Sequence, residues 1–197
     1  MIHVIGDSHS MYTFSGLPVA IHHVGPVTLK RVGYLEDTTL STEISKLSLS
    51  DKDLVLFVFG EIDVRCYVKP TFERAKCSLQ QHLGKWADRY GRAVAALDTK
   101  GARLGLMSVV PPSASAQMAA GSLFPVTGTD QERVEYTTQL NQELRRVCAE
   151  RQWLYLDVHA LYANETGMLP SELSDGTLHT GDPSRVRTLL AELRLLE

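Results

Sequence analysis

The sequence predicts a three-layer α/β/α sandwich built on a five-stranded parallel sheet. Three observations lead there. Five apolar runs of strand length recur along the 197 residues, at 2–5, 19–24, 54–59, 104–110 and 153–158. They are mostly continuous rather than alternating, as strands covered on both faces require. Long helical patterns lie between the later runs, and strand–helix alternation of this kind implies right-handed crossovers. No internal repeat, low-complexity run or linker-like shift interrupts the chain, so a single domain over residues 1–197 is expected.

Each element has its own signal. Ile2, Val4 and Ile5 run straight into the small polar stretch GDSHS, which reads as a strand-to-helix turn. The second run, VAIHHV, stops at Gly25-Pro26 and the third, LVLFVF, at Gly60. Over 72–98, Leu79, Leu83, Trp86, Tyr90, Val94 and Leu97 recur at three- and four-residue steps, so one stripe of a helix faces the sheet. Thr129 and Asp130 suit the start of a second long helix reaching about residue 151, with Val134, Leu140, Leu144, Val147 and Cys148 on its inner side. A last helix is expected from Pro183, a residue tolerated in a first helical turn, to about Leu196.

Composition excludes several classes of function. Hydrophobic residues make up 44% and charged residues 22%, with a formal net charge of −3, an ordinary globular balance. There is no basic stripe interleaved with aromatics, so nucleic acid is not an expected partner. No run approaches the length of a membrane span. The first strand starts at Ile2 without a basic segment and long apolar core before it, which reads as a cytoplasmic protein rather than an exported one. The three cysteines, Cys66, Cys77 and Cys148, are odd in number and irregular in spacing, so free thiols are expected, with Cys148 buried. The composition says nothing about oligomeric state.

In open parallel sheets ligands sit outside the carboxyl ends of the strands. The loops that gather there are GDSHS, Gly25-Pro26-Val27-Thr28, Gly60-Glu61-Ile62-Asp63-Val64-Arg65 and Pro111-Pro112-Ser113. A serine becomes a nucleophile when a base takes its proton and a third group orients that base. Ser8 is the candidate nucleophile, His179 in SDGTLHTGD the candidate base, and Asp175 the candidate orienting carboxylate. The plainer alternatives are that Ser8 merely caps a helix and that His179 lies on the surface.

Read as an ordered set, these blocks resemble the SGNH, or GDSL-type, hydrolase superfamily, whose fold is of flavodoxin-like type. Gly6-Asp7-Ser8 matches the nucleophile block, Gly25 the glycine after strand two with Gly33 as the competing choice, Gly60-Glu61-Ile62-Asp63 the G-x-N-D block, and Asp175 with His179 the block before the final helix. The GDSHS, GEIDVR and SDGxxH motifs are similar to a bacterial subgroup found near polysaccharide and glycoconjugate biosynthesis. The resemblance implies a serine esterase acting on a small acyl group, acetyl on a carbohydrate, through an acyl-enzyme and without metal or organic cofactor. An O-acyltransferase would use the same triad.

Two departures from the family pattern matter. The acid stands four residues before the histidine rather than three, which makes Asp182 a rival for the orienting role. Ile62 occupies the slot of the oxyanion asparagine and has no hydrogen to donate. Loss of one such donor typically costs ~10²–10³ in rate, so a weakly active or non-catalytic binding module is a third reading. Arg65, beside the backbone N–H groups of Ser8 and Gly25, is the expected replacement donor. Glu61 and Asp63, with Arg65, are candidate substrate contacts, and a salt-bridged loop brace or a solvated charge run is the plainer reading of the three. His9 lines the pocket or faces solvent. His22 and His23, adjacent on a strand, point to opposite faces and read as structural, with one of them near the pocket. The long segment 113–128 reads as a substrate lid or an ordinary connection, and Met118, Leu123 and Phe124 would be its ligand contacts.

Overall fold

In the computed structural model, which describes residues 1–34, 36–117 and 124–196, the opening apolar residues form β1 (Ile2–Gly6). Alternate side chains of a strand point to opposite faces. Val4 therefore packs with Leu56, Phe14, Tyr162 and Leu190 on one side of the sheet, and Ile5 with Phe57, Leu83, Leu140 and Leu144 on the other. Burial of that kind on both faces explains why the runs are continuous rather than alternating.

After β1 the chain continues through α1 (Ser8–Thr13), β2 (Ala20–His23), α2 (Leu29–Val32), α3 (Thr39–Ile44) and β3 (Leu54–Val58). A π-helical turn, Asp63–Tyr67, runs into α4 (Val68–Phe72), followed by α5 (Leu79–Ala95), β4 (Arg103–Met107), α6 (Asp130–Arg151), β5 (Leu154–Leu156), α7 (His159–Tyr162) and α8 (Ser184–Glu192). The five strands are all parallel in the order β2-β1-β3-β4-β5. Helices α2, α3, α5 and α6 contribute to the core on one face, and α7, α8 and the residues just after α1 to the core on the other. The strand order reverses between β1 and β3, and the crevice beyond their carboxyl ends is where such sheets bind ligands.

The long elements follow local signals. Ser78 starts α5 with a capping box: its hydroxyl accepts from Gln81 N at 3.2 Å and Gln81 Oε1 accepts from Ser78 N at 3.2 Å. The helical pattern expected over 72–98 is thus α5 alone, which begins only after that cap. Thr129 and Glu132 cap α6 in the same way. On α6 the expected inward Val134 is only half-buried, whereas Arg133, Tyr136 and Thr137 are buried. Cys66 and Cys148 are buried and Cys77 half-buried, all as free thiols. Among the described residues no helix is long and apolar enough to cross a membrane.

The two strand histidines point to opposite faces of β2, and His23 is its last residue, in register with Gly6. His22 Nε2 lies 3.1 Å from His3 Nδ1 on β1, and His22 Nδ1 lies 3.6 Å from Glu43 on α3. His23 is exposed on the other face of β2.

Candidate active site

The turn after β1 is shaped by three residues with separate tasks. A Cβ on Gly6 would stand 2.3 Å from the Val58 carbonyl oxygen and 2.8 Å from Val58 Cβ, so only glycine lets β1 end this close to β3. Asp7 then caps α1, its carboxylate accepting from His9 N at 2.9 Å. Ser8 is therefore the first helical residue and not the cap. Its hydroxyl is left for another partner, and that partner is His179: Ser8 Oγ lies 3.0 Å from His179 Nε2.

His179 arrives on a tight turn closed by a bridge between Ser174 and Thr180. Within it Asp175 N donates to the His179 carbonyl at 3.0 Å, and Gly176 adopts the left-handed φ of 90° that a side chain disfavours. Asp175 Oδ1 accepts from Thr177 N at 2.9 Å and from the Thr177 hydroxyl at 2.6 Å. Its other oxygen, Oδ2, lies 3.0 Å from His179 Nδ1. The four-residue gap is thus taken up by the turn, and the two side chains still face each other. With a carboxylate at Nδ1, that nitrogen carries the proton and Nε2 is bare, able to accept from Ser8.

The electrostatics agree with that tautomer. Burial pushes the His179 pKa down and the neighbouring His9 pushes it further, while Asp175 and Glu61 pull the other way; the net direction is down. Burial raises the Asp175 carboxyl, but hydrogen bonds from Thr177 and His179 more than offset it and hold it below the usual range. Near neutral pH the arrangement is a neutral imidazole between an ionised carboxylate and a hydroxyl, poised for proton abstraction from Ser8.

Asp182 does not compete for the histidine. Its carboxylate accepts from Ser184 N at 2.9 Å and Ser184 Oγ at 2.7 Å at the start of α8, and its carbonyl accepts from the Tyr162 hydroxyl. Gly25 follows β2 directly, next to the Asp7 turn, with a φ of 82° and open space where a Cβ would be. Gly33 instead ends α2 and packs on the backbone of Tyr90 in α5. Neither the Ser8 nor the Gly25 N–H has a hydrogen-bond acceptor among the described residues.

The GEIDVR segment turns out as a brace. Arg65 donates from Nε and Nη2 to both Glu61 oxygens, at 2.7 and 3.0 Å, and from Nη1 to the Phe124 carbonyl at 2.6 Å. These bonds hold the guanidinium against Glu61 and the Phe124 segment. Asp63 is fully enclosed and accepts from Leu29 N at 2.6 Å and Lys30 N at 3.0 Å, so it caps α2 from across the fold instead of facing a ligand. Burial pushes its carboxyl up to about 7 against the pull of those two N–H groups. Ile62 is buried and supplies no donor. His9 neither faces solvent nor opens onto a broad pocket. It is 2% exposed, between Asp7 and the Leu178 carbonyl. Asp7, His9, Glu61 and Ser108 line a small cavity beneath the site.

Of the candidate lid contacts, Met118 and Leu123 lie outside the described residues. Phe124 faces Arg65, and Thr127 N donates to the Arg65 carbonyl at 2.8 Å, so this end of the segment is fastened to the GEIDVR turn. Two contacts went unread in the sequence. The Tyr12 ring lies flat on His179, with centroids 3.9 Å apart at 11°. The Thr13 hydroxyl meets the Thr180 hydroxyl at 3.1 Å in the interior. Helical spacing was the available signal for the first, since Tyr12 stands one turn after Ser8.

No family model and no curated protein matches the chain. Solved structures do. An aryl esterase from M. smegmatis superposes with a TM-score of 0.60 at 13% identity, covering 99% of each chain. A carbohydrate acetylesterase from Sinorhizobium meliloti gives 0.59 at 14%, covering 98% of this chain and 96% of that one. The OSK domain of Drosophila Oskar gives 0.58 at 14%, covering 98% and 87%. The chain has the SGNH-hydrolase fold, from its five-stranded parallel sheet to the helices on both faces.

Proposed function

We propose that this protein is a serine esterase that hydrolyses a small O-acyl ester through Ser8, His179 and Asp175. One observation carries the reading: two segments 171 residues apart supply an unbroken line of hydrogen bonds from hydroxyl to imidazole to carboxylate, with 3.0 Å at each step. His179 takes the Ser8 proton as Oγ attacks the ester carbonyl, then gives it to the departing alcohol. Water repeats the sequence on the acyl-enzyme. The N–H groups of Ser8 and Gly25 hold the developing oxyanion, and Arg65 acts at a distance by fixing Glu61 and the Phe124 segment. The acetyl-carbohydrate class is favoured by the motif resemblance and by the fold shared with a carbohydrate acetylesterase.

The test is turnover of p-nitrophenyl acetate together with labelling by a fluorophosphonate, both abolished in Ser8→Ala. Folded wild-type protein that neither labels nor turns over would reject the reading. It would favour the alternative that Ile62 suggests, a binding module on a hydrolase fold.

A further inference from the structure

His9 is a buried ring whose two nitrogens both face acceptors. Nδ1 lies 3.3 Å from Asp7 Oδ1 and Nε2 lies 3.3 Å from the Leu178 carbonyl oxygen. A neutral imidazole has one donor and one lone pair, so it would turn that lone pair on one of these oxygens. An imidazolium donates to both. A second observation points the same way. Asp7 Oδ2 is buried without a hydrogen-bond partner, a costly state for a carboxylate unless a cation stands beside it.

The position of this ring gives it a role. It carries the carbonyl of the residue immediately before His179, and the two rings lie with centroids 4.8 Å apart. We propose that His9 is a positioning residue held as a buried imidazolium: it fastens the 175–180 turn through Leu178 and, by its charge, keeps the neighbouring His179 neutral and ready to act as a base. The inference rests on the esterase reading for its catalytic meaning, but not for the charge itself.

The surroundings are consistent from every side. Around His179 stand Asp175 from its own turn, Ser8, His9 and Tyr12 from α1, and Glu61 from the turn after β3. Around His9 stand Asp7, His179 and Glu61, the last ion-paired with Arg65. Burial alone would lower the His9 pKa, yet the Asp7 hydrogen bond, the charges of Asp7 and Glu61 and the Leu178 carbonyl together raise it. The same proximity acts in the opposite direction on His179. Two histidines in contact thus have their titrations driven apart, one held charged and one held neutral.

Nitrogen-15 NMR of the imidazoles in the intact protein tests the charge directly. Near neutral pH both His9 nitrogens are expected to be protonated, while the His179 ring is neutral with its proton on Nδ1. In His9→Gln, which can still donate to the Leu178 carbonyl but carries no charge, the His179 titration midpoint should move to higher pH. The ratio of kcat/KM at about pH 5.5 to that at about pH 8 should fall roughly tenfold. A His9 ring with one bare nitrogen near neutral pH overturns the proposal, as does an unmoved midpoint in folded His9→Gln. Should that variant not fold, the wild-type spectrum still decides the charge. If wild-type protein fails to label with fluorophosphonate, the esterase reading falls while the NMR result stands on its own.

Discussion

The Tyr12 ring covers one face of the His179 imidazole, with centroids 3.9 Å apart and planes 11° from parallel, although Tyr12 itself is 41% exposed. A half-exposed aromatic laid over a base restricts its rotation without consuming either of its nitrogens. Stacked aromatic pairs contribute ~0.5–1.5 kcal/mol beyond their area. Tyr12→Ala should therefore lower kcat by about 3- to 10-fold with little change in KM. Tyr12→Phe, which keeps the ring, should restore most of it. Steady-state kinetics on the two variants check this, and an equal loss in both would assign the effect to the hydroxyl instead.

Asp175 and Asp182 lie on the same stretch of chain but differ in partner. Asp175 faces His179 Nδ1, and Asp182 caps the start of α8. Asp175→Asn leaves the shape intact but offers an amide where the imidazole needs an acceptor, favouring the wrong tautomer. In serine-hydrolase triads such a change costs on the order of 10⁴-fold in kcat. Asp182→Ala should leave kcat near wild type and lower the urea midpoint only slightly, since Ser184 at the start of α8 loses an acceptor. Activity assays paired with urea denaturation of both variants separate the two roles; the opposite pattern would reverse the assignment.

Much of this was legible in the sequence, for physical reasons. A strand covered on both faces must be apolar throughout, so β1, β3 and β4 announce themselves. The meeting of Ser8 with His179 and Asp175 could be expected because loops gather at the carboxyl edge of a parallel sheet. The short helices could not. Thr28 caps Arg31 N of α2 locally, but the N–H groups of Leu29 and Lys30 are satisfied by Asp63, more than thirty positions away, and no local pattern encodes that. Its position two residues beyond Asp63 leaves Arg65 open between oxyanion donor and brace, and the helical turn that follows Gly60 sets it one turn from Glu61, where an ion pair forms. His9 was open between pocket and solvent because its burial depends on Leu178, which folds back from 169 residues downstream.

The His3–His22 pair predicts an acid-sensitive fold. Burial comes first in lowering both pKa values. For His3 the charge of His22 adds to it, while for His22 Glu43 opposes it. The folded protein then binds fewer protons than the unfolded chain below the ordinary histidine value of 6.5. The stabilisation is fully present above that pH and declines as pH falls through it towards the lowered folded values. His22→Gln should flatten this part of the curve. Urea midpoints for the two proteins between about pH 5 and about pH 8 measure it, and parallel curves would show that the pair does not couple to folding.

Glu61 and Arg65 permit a test that separates brace from oxyanion donor. Both are buried, and their two hydrogen bonds hold the turn beside the site. Removing one partner of a buried pair typically costs ~3–5 kcal/mol, because the remaining charge stays enclosed without compensation. Arg65→Gln alone should be strongly destabilised and poorly active. Adding Glu61→Gln removes the stranded carboxylate, and the two amides can bond across the same gap. If Arg65 is a brace, the double variant regains stability and its kcat returns to within about tenfold of wild type. If Arg65 instead supplied an oxyanion hydrogen bond, stability would recover while kcat stayed ~10²–10³-fold down, since no neutral pair replaces a lost donor at the reacting oxygen. Chemical denaturation and kcat measured on the single and double variants decide between them, because only the brace lets both quantities recover together.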